Sequence, residues 1–180
     1  MNDEFFDLVD EHDRVIGRST RRDVHARGLR HRAIHVLVFD SAGRVYLQKR
    51  STTKDVAPGV WDSSCSGHVG AGEDYDGAAV RELGEELGLH LSYAPPRWFH
   101  VEAGAGTDQE FVWVYRCRHN GPLTPDPAEI ERGEWRHPAE VDRRLQTHAG
   151  EFSRAFEFLW RRARQDASFG TMSSKTGSST

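Results

Sequence analysis

Apolar and polar positions alternate through the first third of the chain, and that alternation predicts short strands. Residues 5–9 and 14–18 form two such runs around the turn Glu11-His12-Asp13. Residues 21–26 fit one short helical turn. Within 33–39, Ile34, Val36 and Val38 place a β-branched side chain at every second position. Asp40-Ser41-Ala42-Gly43 then forms a turn, and 45–48 supplies the hairpin partner. Pro58-Gly59 punctuates a loop over 52–59, and 61–68 reads as extended. The period then changes. Ala78, Ala79, Leu83 and Leu87 recur at helical spacing over 74–87, and Gly88 sits where a helix stops. Residues 98–102 and 110–117 return to strand character, with Val112, Val114 and Tyr115 supplying β-favouring side chains. A short extended piece follows at 134–137, then helices at 138–148 and 151–164. The last helix carries an apolar face of Phe152, Phe156, Leu159 and Trp160. Residues 1–165 read as one domain. Residues 166–180 end in Gly-Thr-Met-Ser-Ser-Lys-Thr-Gly-Ser-Ser-Thr and read as a polar, disordered tail.

Composition narrows the class of function. A chain of 180 residues with 37% hydrophobic and 29% charged residues is an ordinary globular composition. The formal net charge of −4 gives no reason to expect nucleic acid or a membrane as partner. Arg18, Arg21, Arg22, Arg27, Arg30 and Arg32 form a local basic run, most simply a solvated face. No apolar run approaches the roughly 20 residues of a membrane span, and the acidic N-terminus lacks a signal-peptide pattern. The two cysteines, Cys65 and Cys117, form no disulfide framework, so a reducing cytoplasm is the expected setting.

The chemistry concentrates in residues 67–89. A turn with three glycines, Gly67 to Gly72, runs into the helix that carries Arg81, Glu82, Glu85 and Glu86. Residues three and four apart share a helix face, so the three glutamates point into one arc. Like charges that close need a cation, and a hard divalent ion such as Mg²⁺ suits carboxylate oxygens and a diphosphate. A Glu-x-x-Glu-Glu pattern alone is more often a solvated helix face.

The spacing around it is more specific. Gly67, Glu73, Arg81-Glu82, an apolar Leu83, Glu85-Glu86, Gly88 and an apolar Leu89 fill every fixed position of the pattern G-x5-E-x7-R-E-U-x-E-E-x-G-U, with U apolar. This resembles the signature of the Nudix hydrolase superfamily. The resemblance implies an α/β fold, an α/β/α sandwich around a central mixed sheet. It also implies hydrolysis, with Mg²⁺ or Mn²⁺, of a nucleoside diphosphate linked to another group. By the same resemblance Glu85 and Glu86 are metal ligands, and Glu82 is a ligand or the base that deprotonates water. Arg81 orients Glu82, Glu73 is structural, and the Ser66 backbone carbonyl is an extra ligand.

Over residues 6–90 the chain also resembles a subgroup related to type 1 isopentenyl-diphosphate isomerase. The shared marks are Asp7-Leu8-Val9-Asp10-Glu11, Gly17, His25, His31-Arg32-Ala33, Gln48-Lys49-Arg50, Lys54, Pro58-Gly59-Val60-Trp61 and Gly67-His68. In those isomerases histidines and glutamates hold a metal. The matching positions here are His25, which needs a one-residue gap, His31, His68, Asp108 in place of a glutamate, and Glu110. Imidazole with carboxylate suits Zn²⁺ or Mn²⁺. The isomerases act through a cysteine just before Gly-His, where this chain has Ser66. Cys65 is one residue earlier and in an extended segment faces the other way. The isomerases also degrade the glutamate helix, which is complete here. Both departures favour hydrolysis over isomerisation.

Other residues stay open. Glu110 is either a further ligand of the main site or a strand-edge charge. Lys49, Arg50 and Lys54 either grip substrate phosphates or are solvated. Trp61, Trp98, Trp113 and Trp135 are more simply packing residues than base-stacking platforms. The expected partner is a small-molecule diphosphate, with a homodimer the common arrangement for such an architecture. Nucleoside diphosphates, nucleotide sugars, dinucleotides and prenyl diphosphates all remain candidates.

Overall fold

The computed structural model describes residues 4–54 and 56–169. A hairpin of β1 (Phe5–Val9) and β2 (Val15–Thr20) leads into a short helix, α1 (Arg21–Arg27). Thr20 caps that helix by accepting from the Asp23 N–H at 3.2 Å. Gly28 ends it at φ 57°, a left-handed conformation that disfavours a side chain. The centre of the fold is β3 (His31–Phe39), which pairs in parallel with β8 (Glu110–Arg118) from His31↔Glu110 to Phe39↔Arg118. On one side β8 pairs with β7 (Arg97–Val101). On the other side lie β4 (Val45–Arg50), β5 (Trp61–Asp62), β6 (Cys65–His68) and β9 (Ile130–Arg136), completing a seven-stranded mixed sheet.

Strand alternation sorts the core into two layers. Ile34, Val36 and Val38 face α2 (Tyr75–Leu87) and meet its Ala78, Ala79, Leu83 and Leu87. Ala33, Leu37 and Phe39 face the opposite way, toward α3 (Pro138–Thr147) and α4 (Arg154–Gln165), and meet Val141, Leu145, Phe156 and Trp160. The result is the expected α/β/α sandwich. Each fully buried Leu or Phe in these layers contributes about 1.5–3 kcal/mol relative to exposure.

Several elements differ from the expectations. The strand expected at 134–137 runs instead from Ile130 to Arg136, because β4 offers it a partner along its length. The last helix starts at Arg154 rather than 151. Ser153 caps it by accepting from Phe156 N at 3.0 Å, and Phe152 is drawn into an extended bridge with Trp61. The hairpin expected between 33–39 and 45–48 closes with the single pair Phe39↔Val45 and then splits. Into the fork comes Ser64, whose hydroxyl accepts from Val38 N at 2.8 Å and donates to the Tyr46 carbonyl at 2.5 Å. One buried side chain thereby stands in for a rung of the ladder. It lets β3 take β6 as neighbour while β4 leaves for β5 and β9.

The first four residues of the expected tail are folded. Residues 166–169 lie against the sheet, and Phe169 is buried among Trp98, Phe39 and Trp160. Residues 170–180 lie outside the described residues. Among those described, no helix is long and apolar enough to cross a membrane.

Candidate active site

Helix α2 is placed by its cap. Asp74 accepts from Gly77 N at 2.7 Å, and Gly88 closes the far end at φ 63°. Arg81 is the hub of the acidic face. Its Nε and Nη2 donate to the two oxygens of Glu73 at 3.0 and 2.9 Å. Its Nη1 donates to Glu82 at 2.7 Å and to Glu85 at 3.1 Å, and Nη2 also reaches the His68 carbonyl at 3.1 Å. Glu73 in turn accepts from Gly70 N at 2.9 Å, so one ion-pair network ties helix to glycine turn. Glu82 lies across the backbone of Gly67. A methyl group there would sit 2.1 Å from the Glu82 carboxyl carbon, so the Glu82 side chain would have to move.

Glu86 is held differently. It is 3% exposed, and its Oε2 accepts from Ser66 N at 3.2 Å and from the Gln48 side-chain amide at 3.1 Å. Burial pushes the carboxyls of both Glu82 and Glu86 up to about 7. Arg81 opposes that rise at Glu82, whereas the charge of Glu82 adds to it at Glu86. Glu85 is turned out toward solvent and Arg81. The three helix glutamates therefore do not converge as closely as their spacing suggests. Arg81 draws Glu82 and Glu85 one way, while neutral donors fix Glu86 on the other.

The tighter cluster is elsewhere. Among the described residues, the group of three metal-type side chains whose ligand atoms lie within 4.8 Å of one another is His25, His31 and His68. Four elements build it: α1 gives His25, the start of β3 gives His31, the end of β6 gives His68, and Glu110 enters from the start of β8. The parallel pair His31↔Glu110 and the antiparallel pair Ala33↔His68 set the register. Glu110 Oε1 lies 3.1 Å from His68 Nε2 and 3.4 Å from His31 Nε2, and Asp108 lies 3.6 Å from His25 Nδ1. Burial alone would raise the Glu110 carboxyl, but His31 and His68 overcome it and hold it far below the usual carboxylate range. Burial lowers His68 despite Glu110 beside it.

The donor chemistry fits a transition metal. His31 Nδ1 donates to the Leu29 carbonyl at 2.9 Å, which turns Nε2 toward Glu110 and makes it the nitrogen available to an ion. The buried Nε2 atoms of His25 and His31 make no hydrogen bond. Phe6 walls the cluster, stacked on His68 and His31 at 4.6 and 5.6 Å between ring centres.

Both clusters open on one cavity of about 780 Å³. Its wall includes Arg81, Glu82, Glu85, Glu86 and Ser66, and also His25, His68, Asp108 and Glu110. Of the expected phosphate cations, Arg50 and Lys54 line the cavity and Lys49 does not. Each is engaged. Arg50 donates to the carbonyls of Val56 and Ala57 and lies 3.7 Å from Asp62; Lys54 pairs with Glu129; Lys49 lies 3.7 Å from Glu131. Cys65 is fully buried in the α2-side core, and burial raises its thiol well above the usual range.

A family model described as the NUDIX domain matches residues 29–156. The chain belongs to the Nudix family. It is 42% identical over 148 residues to an uncharacterised Nudix hydrolase of Streptomyces coelicolor, covering 79% of this chain and 80% of that one. It is 38% identical over 131 residues to an isopentenyl-diphosphate Delta-isomerase of Burkholderia multivorans, covering 71% and 74%. Among solved structures, the crystal structure of a Deinococcus radiodurans protein superposes with a TM-score of 0.77 at 31% identity, covering 88% and 98%.

Within this Nudix domain two residues were given no role of their own from the sequence. Gln48 was named only as a mark shared with the isomerase-like subgroup, and its partner Glu86 is 38 residues away. Arg154, at the start of α4, lines the cavity and has no ion-pair partner among the described residues. No local pattern marks it.

Proposed function

We propose that this Nudix protein is a metal-dependent hydrolase that cleaves a diphosphate bond in a nucleoside diphosphate derivative or a similar small molecule. The observation that carries the reading is the pair of carboxylates, the half-buried Glu82 and the buried Glu86, in the wall of one cavity. Two like charges removed from water are unfavourable unless a cation joins them. Glu85, Glu86, Glu110 and the Ser66 carbonyl would hold Mg²⁺ or Mn²⁺, with Glu82 as a further ligand or as the base. When bound, such an ion supplies positive charge for the diphosphate oxygens and helps to ionise water.

The chain's own residues do the rest. Arg81 fixes the Glu82 carboxylate by a charge-assisted hydrogen bond, so Glu82 is oriented to accept a proton from the attacking water. Gly67 leaves room for that carboxylate beside the backbone. Arg154, without an ion-pair partner among the described residues, offers a cation to a substrate phosphate, a task that Arg50 and Lys54 share only if they give up present partners.

The histidine cluster favours a second reading. His25, His31, His68 and Glu110 match the metal positions of the isomerase-like subgroup, and relatives with that description exist. Ser66 on the cavity wall, in place of a thiol, and Cys65 buried in the core argue against carbon acid–base chemistry. The deciding experiment is a phosphate-release screen with Mg²⁺ and Mn²⁺ over nucleoside diphosphate derivatives, nucleotide sugars, dinucleotides and prenyl diphosphates. Release from at least one class supports hydrolysis. No release from any, together with isomerisation of isopentenyl diphosphate, overturns it.

A further inference from the structure

We infer that Gln48 is a positioning residue for Glu86, holding that carboxylate for a divalent ion; the inference rests on the hydrolase reading above. Gln48 stands on β4, whose backbone is paired at this residue on both sides, with Asp62 of β5 and Gly133 of β9. The strand is therefore fixed where the side chain leaves it. The side chain is 1% exposed and reaches to the α2 side of the sheet. Its Nε2 donates to Glu86 Oε2 at 3.1 Å, and the Ser66 N–H donates to the same oxygen at 3.2 Å. Both bonds fall on Oε2, and the buried Cys65 thiol also lies beside this carboxylate.

Two features separate this from ordinary packing. The Gln48 carbonyl, Oε1, is buried and has no hydrogen-bond partner. A buried amide left half unsatisfied is a poor choice for stability, since an apolar side chain of similar length fills the same space without an orphan. The bond to Glu86 is what the amide supplies and methionine does not. The second feature is charge. Arg81 holds Glu82 with a full positive charge, whereas Gln48 and Ser66 hold Glu86 with neutral donors. Neutral donors fix a carboxylate without cancelling the charge that attracts Mg²⁺ or Mn²⁺. A lysine or arginine in place of Gln48 would compete with the ion.

The test uses the full chain with Gln48→Met and Gln48→Asn, the second keeping an amide but retracting it. Four quantities are read: Tm, Mn²⁺ affinity by electron paramagnetic resonance, and kcat and KM on the diphosphate found by the screen. The Mn²⁺ counted is the portion lost in Glu86→Gln, which removes any contribution from the histidines. Both variants should bind that Mn²⁺ about 10–100-fold more weakly, as outer-shell partners do when removed. In both, kcat should fall with KM for the diphosphate within about twofold. Gln48→Met should melt no lower than the parent. Unchanged Mn²⁺ affinity in either folded variant overturns the inference, as do losses that simply track a fall in Tm. Because Mn²⁺ binding is read directly, it judges Gln48 even if no diphosphate is hydrolysed, an outcome that would count against the hydrolase reading alone.

Discussion

The acidic helix and the histidine cluster face one cavity but are built on opposite principles. The helix places its carboxylates on a single element and then keeps them apart, one locked by Arg81, one turned to solvent and one held by neutral amides. The histidines come from separate elements spread over the sequence and still gather within 4.8 Å, two of them with a buried ring nitrogen that makes no hydrogen bond. The difference teaches that proximity in sequence fixes direction, whereas tertiary register fixes distance. Carboxylates set apart on one helix and imidazoles gathered from several elements are different donor sets for a cation.

The sharpest way to break that contrast is Glu86→Gln. It removes a buried charge and keeps the shape, so the protein should fold with an equal or higher Tm. Metal-activated hydrolysis should fall by more than about 100-fold, beyond the loss typical of outer-shell partners. Near-normal turnover would move the chemistry away from the helix. Gly67→Ala should come next. Its methyl group would collide with Glu82 and force that carboxylate off Arg81, with kcat down by about 100-fold; steady-state kinetics beside a melting curve separate this from unfolding.

His31→Ala addresses the other half. Co²⁺ affinity, followed by its visible absorption, should drop about 10–100-fold or more. Intact Co²⁺ binding would show that the histidines are a packed aromatic stack and nothing further. The pH dependence is subtler. Glu82 and Glu86 titrate near 7 in the folded protein, against about 4.3 in an unfolded chain. Between those values the native state binds more protons than the unfolded state. The stability of the metal-free protein should therefore fall as pH rises through that window. Tm measured in chelator at pH 5.5 and 8 reads this, and added Mg²⁺ should raise Tm more at pH 8. A Tm independent of pH there would mean that the two carboxyls are not buried in solution. The smallest effect belongs to Cys65→Ala, which should leave hydrolysis within about twofold, the spread expected for a residue outside the reaction; an enzyme working through that thiol would lose all turnover.

Legibility followed the same divide. Helix α2 was readable because its period, its cap at Asp74 and its stop at Gly88 lie within one run of chain. The order of strands was less so. Local turn chemistry correctly joined Phe39 to Val45, but nothing near them announces that Ser64 will part the strands and seat β6 beside β3. The histidines were nameable by resemblance, yet their meeting depends on the parallel β3–β8 register, a contact between segments almost eighty residues apart. Lys49, Arg50 and Lys54 show the reverse failure. Their charge was plain in the sequence, and the carboxylates and carbonyls that occupy them were not.

Phe169 carries a practical consequence. A chain shortened at residue 165 would lose the ring that covers Trp98 and Trp160, and with it the two carbonyls that Arg116 holds at residues 168 and 169. The aromatic shelf thus bared would be a sticky patch. Self-association of a trimmed protein would then report the trimming rather than any native assembly.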